Sequence, residues 1–485
     1  MHRDRGGINR LLFMLMLVLV VIVGLQMWAT RKGSGPKPPA GSAKGTLAPA
    51  SRAPATSTRA GSAVQSPSSD PAQALLAETG EAPPSLYAAE LEAIRLLIEQ
   101  GKEAVAEAKL VALPPEALGD PQIRKYAATL WNNLGVTQAK ARGIAAGVSA
   151  YKTAVALDPA QPKAHLNLVF AYWSLKDPAL TRELLEKTIG LVPDDPFPHL
   201  ALANLLYEKD DLAGAASHLD IATQRAAQDS TLKTFLEFVT AKVKREHRVE
   251  QKFLSRESSH FTVKFDGEDD HAVWNRVAEI LEDAYRDIGQ KFGYFPDKPI
   301  MVVLHTRETF QSATGSPAWA DGLFDPLGGR IKVPTQGALT DQAWLTRVLR
   351  HEFVHALLHQ RMGGRLGAVP TWLNEGLAMQ LAGDPWPDID QLVRGQVTLI
   401  PLNHLEGGWG GLPSNAATVA YLEANSATLY LIDRFGMEKV REIIGLLADG
   451  QPIGAAVQDR LFIPYDQFQR RWVDTLNEKL QGPGG

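Results

Sequence analysis

His351 and His355 stand four residues apart in His351-Glu352-Phe353-Val354-His355, and Glu375 follows after nineteen intervening residues, inside Trp372-Leu373-Asn374-Glu375-Gly376-Leu377-Ala378. On a helix, residues four apart share a face, so both imidazoles can reach one metal ion while Glu352 sits one residue round from the first. Two neutral imidazoles and a carboxylate are a common catalytic zinc set that leaves a fourth position for water. The chain has no cysteine. Any zinc must therefore take His, Asp or Glu, and there is no thiolate nucleophile and no disulfide framework. The chain has twelve histidines, so a chance His-Glu-x-x-His is the alternative reading, and the third ligand at Glu375 argues against accident. The chemistry expected is hydrolysis.

The elements that must position these groups follow from periodicity. A long helix is expected from about Asp341 to Gln360, capped by Thr340, with Val348, Phe353, Val354, Leu357 and Leu358 making the surroundings of the histidines apolar. A buried Glu352 needs a partner in such surroundings. After Gly363-Gly364 and Pro370, Thr371 is expected to cap a second helix that returns Glu375 across the first. Upstream, His260–Phe265 and Ile300–Leu304 read as strands flanking a helix from Ala272 to Phe292. Residues 328–333 alternate and stop at Pro334, as an edge strand does, so Arg330 and Lys332 are expected as solvated edge charges. The functional alternative for that strand is pairing with an extended peptide. Beyond Gly436, Val440, Ile443, Ile444 and Leu447 mark a helix, and Phe462, Phe468 and Trp472 are expected to close a helical C-terminal lobe.

The motif with its Trp-Leu-Asn-Glu-Gly-Leu-Ala context resembles the gluzincin metallopeptidases, and the stretch from His260 to about Trp472 resembles peptidase MA-like domains that often accompany tetratricopeptide repeats. The resemblance implies an α+β thermolysin-like domain, with His351, His355 and Glu375 as Zn2+ ligands and Glu352 as the general base. Elementary chemistry agrees with those roles. It also implies a downstream Tyr or His that stabilises the tetrahedral oxyanion. Tyr421, at the opening of an expected helix, is the candidate, with His404 and Tyr430 as competitors and a plain core aromatic as the alternative. His359 continues the metal face by one turn, but the metzincin pattern has Gly and a differently spaced His, so it is expected to support or lie outside the ligand set. Met379 stands where thermolysin-like enzymes carry an Asp that orients a ligand imidazole, which leaves that orienting group unidentified.

Ahead of this domain a period of 34 emerges: Leu134, Leu168 and Leu202 are so spaced, as are Pro159 and Pro193, and Ala154, Thr188 and Ala222. With Trp131, Gly135 and Tyr151 in the first unit, the pattern resembles the tetratricopeptide repeat. The second and third units degenerate, with Val169 and Ala203 in place of Gly and Ala227 in place of the terminal Pro. About three repeats over residues 128–229, capped by helices from 86 to 127 whose stripe is Leu91, Ile94, Leu97 and Ile98, make an all-α solenoid. Its concave face is expected to bind peptide or protein, against the alternative of a spacer. Residues 230–252, with Leu232, Phe235, Leu236 and Val239 on one face, read as a joining helix.

Leu11 to Trp28 is an apolar run long enough to span a bilayer as a helix, and bulky Met27 and Trp28 before Ala29 are unlike a signal-peptidase site, so an uncleaved single-pass anchor is expected. Arg3, Arg5 and Arg10 before the run are nearly balanced by Arg31, Lys32 and Lys37 after it; the folded body is expected on the periplasmic or extracellular side. Residues 29–84, rich in Ala, Ser, Pro and Gly, read as a disordered tether. The expected organisation is thus a tail at 1–10, a span at 11–28, a tether at 29–84, repeats at 85–252, a peptidase domain at 253–478 and a tail at 479–485. A net charge of −4 gives no electrostatic reason to expect nucleic acid. The function expected is a membrane-anchored zinc peptidase acting on peptide or protein, with the substrate-binding residues open. A protein-binding or envelope-assembly module with little proteolysis is the alternative.

Overall fold

The computed structural model describes residues 76–481, apart from residues 228, 266–270, 316–321, 335–340, 364, 384–388, 390–398, 410–411 and 413. The expected membrane span and most of the tether lie outside the described residues, and among those described no helix is long and apolar enough to cross a membrane.

Helices begin where proline and short oxygen-bearing side chains set them. After α1 (Ala88–Glu99), α2 (Glu103–Val111) and α3 (Pro115–Gly119) come three helix pairs: α4 (Pro121–Arg142) with α5 (Ile144–Leu157), α6 (Pro162–Leu175) with α7 (Arg182–Leu191), and α8 (Pro196–Glu208) with α9 (Leu212–Arg225). Asp120, Thr181, Asp195 and Asp211 cap α4, α7, α8 and α9 through their side chains, and proline opens the first helix of each pair. The first pair crosses closely because two glycines face each other: a Cβ on Gly147 would lie 2.4 Å from the Gly135 carbonyl oxygen. Helix α4 starts at Pro121, where Asp120 caps it and the proline occupies its first position.

The helix α10 (Ser230–Glu250) buries Leu232, Phe235, Leu236 and Val239, the stripe read from the sequence, against the preceding helices, but it also buries Lys242, Glu246 and Glu250. That second face meets a five-stranded sheet of β1 (Leu254–Glu257), β2 (Phe261–Phe265), β3 (Ile300–His305), β4 (Leu323–Asp325) and β5 (Arg330–Pro334), in the order β1-β2-β3-β5-β4. The middle pairs are parallel; β1 and β4 run antiparallel at the two edges. One face of the sheet, carrying Phe261, Val263, Val302, Leu304, Ile331 and Val333, belongs to the same core as α11 (His271–Phe292) and α13 (Gln342–Arg361). The other face is charged.

Here the structure corrects an expectation. The strand β5 lies between β3 and β4, not at an edge, and Arg330 and Lys332 are fully buried. Four cations (Lys242, Lys264, Arg330, Lys332) meet four carboxylates (Asp210, Glu246, Glu250, Asp325) between α10, the α8–α9 turn and the sheet. The Lys242 Nζ is 2.6 Å from both Glu246 Oε1 and Asp325 Oδ2, Lys332 Nζ is 2.8 Å from Glu246 Oε1, and Arg330 Nη1 donates to Asp210 Oδ1 at 2.8 Å. The Tyr207 hydroxyl sits 2.5 Å from Glu246 Oε2 and 2.7 Å from Asp325 Oδ2. Opposite charges in equal number make this burial tolerable, since each ion that leaves water must find a counter-ion. The alternation in β5 was legible, but the identity of the face covered was not, because a charged face normally points to water.

The helix α12 (Arg307–Thr314) and the edge strands β1 and β4 escaped sequence reading; the strands are only four and three residues long. After α14 (Thr371–Ala382), the C-terminal lobe is made of α15 (Ser414–Ala448), α16 (Ile453–Leu461) and α17 (Tyr465–Gln481). The helix α15 is broken at Gly436, whose φ of 85° and ψ of 155° only glycine adopts without strain. Phe468 and Trp472 are buried as expected, whereas Phe462 is 84 % exposed and ends α16 in a left-handed turn. The last helix reaches Gln481, so its final residues overlap the expected tail at 479–485.

Candidate metal centre

Helix α13 carries His351, Glu352 and His355. Its cap is Asp341, whose Oδ1 accepts from the Trp344 amide at 2.9 Å; Thr340, the expected cap, lies outside the described residues. Arg350 locks the helix in place, donating to the carbonyl of Ala382 at 3.0 Å and pairing with Asp287 of α11. Helix α14 starts differently from the sequence reading. Thr371 supplies no side-chain cap; instead the free amides of Thr371 and Trp372 donate to the carbonyls of Glu406 and Leu405, at 3.0 and 3.1 Å. Helix starts leave such amides unpaired, and here a distant loop satisfies them.

These two helices bring the sequence-nominated ligands together. Glu375 Oε2 is 3.5 Å from His351 Nε2 and 3.8 Å from His355 Nε2. One nitrogen or oxygen from each of the three residues lies within 4.8 Å of the others. The imidazole rings stand 5.0 Å apart, tilted by 77°. Donors about 2.0–2.2 Å from a tetrahedral zinc lie roughly 3.3–3.6 Å from one another, and the two Glu375–imidazole separations are close to that, so the donor set could hold a single metal ion such as Zn2+. Burial works to raise the Glu375 carboxyl, but His355 and His351 outweigh it and hold it below its ordinary value. Glu352 is 8 % exposed, and the backbone at Gly322, just before β4, passes so close that a Cβ there would lie 2.9 Å from Glu352 Oε1.

Sequence reasoning missed the group that orients a ligand. Asn374 Oδ1 lies 3.1 Å from His355 Nδ1, so with Nδ1 protonated the Asn accepts, and Nε2 is then the unprotonated nitrogen that could ligate a metal. The signal was present as the residue next to Glu375, though nothing in the sequence told which imidazole it would meet. Met379 is buried and takes no part.

Tyr421 of α15 lies among the same groups. The Glu375 carboxylate above all, with burial and Glu352, pushes its phenol well above its ordinary value. The ring meets Trp409 edge-on at 5.0 Å. Its helix approaches α14 closely because Gly376 leaves room: a Cβ at that position would lie 2.0 Å from Thr428 Oγ1 and 2.4 Å from the Ala424 carbonyl oxygen. The competitors sit elsewhere. Tyr430 packs with Phe435 and Phe468 in the C-terminal lobe, and His404 is exposed on a short helical turn. His359 is outside the ligand set; its ring packs 5.3 Å from Phe324, and burial brings its pKa down to about 4.

No curated protein sequence matches the chain. Residues 283–477, from within α11 to within α17, match the family model of the Peptidase MA superfamily, so the part of the chain that builds this centre is a peptidase MA-like domain.

Proposed function

We propose that the chain is a membrane-anchored zinc metallopeptidase that hydrolyses peptide bonds of a peptide or protein recruited by tetratricopeptide-type repeats. The observation that carries the reading is the convergence of His351, His355 and Glu375 with Glu352 beside them and Tyr421 within their field. Anchoring rests on the apolar run at 11–28, and a body on the periplasmic or extracellular side is part of the proposal.

When bound, Zn2+ would lower the pKa of a water and polarise a scissile carbonyl. The chain's own groups do the rest. Glu352 takes the proton of the attacking water and passes it to the leaving amine. Tyr421, whose phenol stays protonated, donates a hydrogen bond to the developing oxyanion. Asn374 fixes the tautomer of His355, and the Arg350 contacts hold α13 and α14 in register. The alternative is a binding module that keeps the metal for stability. Glu352 favours the enzyme, because a structural zinc needs no base and closes its shell with four protein ligands.

The test is Glu352→Gln in the purified chain, comparing bound zinc and cleavage of an unbiased peptide library with the parent. Zinc content unchanged and cleavage lower by roughly 10²–10⁴-fold is the expected result. No zinc uptake by the parent chain would overturn the metal assignment, and zinc uptake with no library cleavage would favour the binding module.

A further inference from the structure

Residues 76–80, within the expected tether at 29–84, do not hang free; they lie along α4 and α6. The main chain of Ala77 is gripped on both sides by one side chain: its amide donates to Asn133 Oδ1 at 2.8 Å, and its carbonyl accepts from Asn133 Nδ2 at 2.9 Å. Three residues on, the Gly80 carbonyl accepts from the Tyr126 hydroxyl at 3.3 Å. Leu76 packs against the buried cluster of Val136, Tyr151, Leu168, Ala171 and Tyr172.

Asn133 is itself held. It is 8 % exposed, and its Oδ1 also accepts from Asn132 Nδ2 at 3.0 Å; Asn132, fully buried, accepts from Asn167 Nδ2 of the next unit at 2.8 Å. Three side-chain amides inside an apolar solenoid are costly unless every one is bonded. This ladder crosses from one unit to the next and ends on a peptide group, in a geometry that any residue except proline could accept at that position. The contacts read main chain plus one apolar side chain. Within residues 33–84, a stretch of mostly small and polar residues, Leu75 and Leu76 are an isolated aliphatic pair.

We infer that the face built by α4 and α6 is a binding site for an extended peptide segment with a leucine-sized side chain, and that Leu76-Ala77 is its built-in ligand. A partner or substrate segment of the same chemistry displaces it. This deepens the recruiting role proposed above for the repeats, but it is read from binding, so a peptidase that fails to cleave leaves it intact. The cis segment competes from a short tether at an effective concentration of order millimolar, and disabling it exposes the site.

The experiment uses the full chain carrying Glu352→Gln, so that no peptide is cut, and a fluorescein-labelled peptide copying residues 72–82, read by anisotropy. With Leu76→Asp or Ala77→Pro in the chain, the peptide is expected to bind at least ten times more tightly than to the chain with its own segment intact. Adding Asn133→Leu is expected to abolish that gain, and a peptide carrying Leu76→Asp is expected not to bind. Equal binding to the intact and disabled chains overturns the inference. So does loss of helical circular dichroism in both disabled chains, which would make residues 76–80 a fixed part of the repeat fold.

Discussion

Replacing Lys332 by Met tests whether the charged layer between α10 and the sheet is a balanced, dry network. The Lys332 side chain is 1 % exposed, with Nζ 2.8 Å from Glu246 Oε1 and 3.7 Å from Glu250 Oε1. Met fills nearly the same volume, so packing changes little, but three cations now face four carboxylates. An unbalanced buried charge of this kind costs about 3–5 kcal/mol. For a unit of a few hundred residues that corresponds to a melting temperature lower by roughly 6–20 °C. The double variant Lys332→Met with Glu246→Gln restores equal numbers and leaves Lys242 its 2.6 Å contact with Asp325, so it is expected to recover most of the loss. Arg286→Ala, which breaks a pair whose side chains are 68 % and 54 % exposed, serves as the exposed control and is expected to move the midpoint little. Burial works to raise Glu246 and Asp325, but Lys242 and Lys332 outweigh it and hold both carboxyls below their ordinary values. Groups so depressed stabilise the fold above the ordinary carboxylate value, 4.5 for Glu246, and lose that contribution as pH falls through their lower folded values. The difference between parent and Lys332→Met is therefore expected to shrink on acidification below about pH 4.5. Urea and thermal unfolding, followed by tryptophan fluorescence, measure all of this. A Lys332→Met cost under about 1 kcal/mol, or a double variant whose losses simply add, would refute the reasoning.

Three further outcomes follow from the proposed metal centre. Asn374→Ala frees the His355 ring and is expected to weaken zinc affinity by about 10–100-fold, measured by competition with a chelating dye; affinity within twofold of the parent would deny Asn374 its orienting role. Tyr421→Phe is expected to lower kcat by roughly 10²–10³-fold with zinc content unchanged, and an unaltered kcat in the library assay would return Tyr421 to the rank of a packing aromatic. Gly376→Ala drives a methyl into Thr428 and the Ala424 carbonyl, so a destabilisation of about 1–3 kcal/mol is expected, seen as a lower melting temperature, and an unchanged one would mean that α14 and α15 have room to part.

The sequence determined that His351 and His355 share a helix face, because helical periodicity fixes which side chains share a side regardless of what packs around them. His351 and His355 could be paired from spacing alone, and the apolar residues around them said the helix was buried. Three helix pairs do lie across the stretch where the 34-residue period was read. Tertiary structure decided everything that depends on two elements distant in the chain. Asn374 meets His355 across nineteen positions only because α14 folds back over α13; Tyr421 comes within the field of Glu375 and Glu352 on a helix that Gly376 lets approach α14; and the start of α14 is satisfied by a loop more than thirty residues away. The plainest case is β5. Its alternation was readable, but Arg330 and Lys332 were assigned to water, because a single strand carries no record of the counter-charges waiting on α10 and the α8–α9 turn. Local spacing sets which face a residue occupies, and only the assembled fold supplies what that face meets.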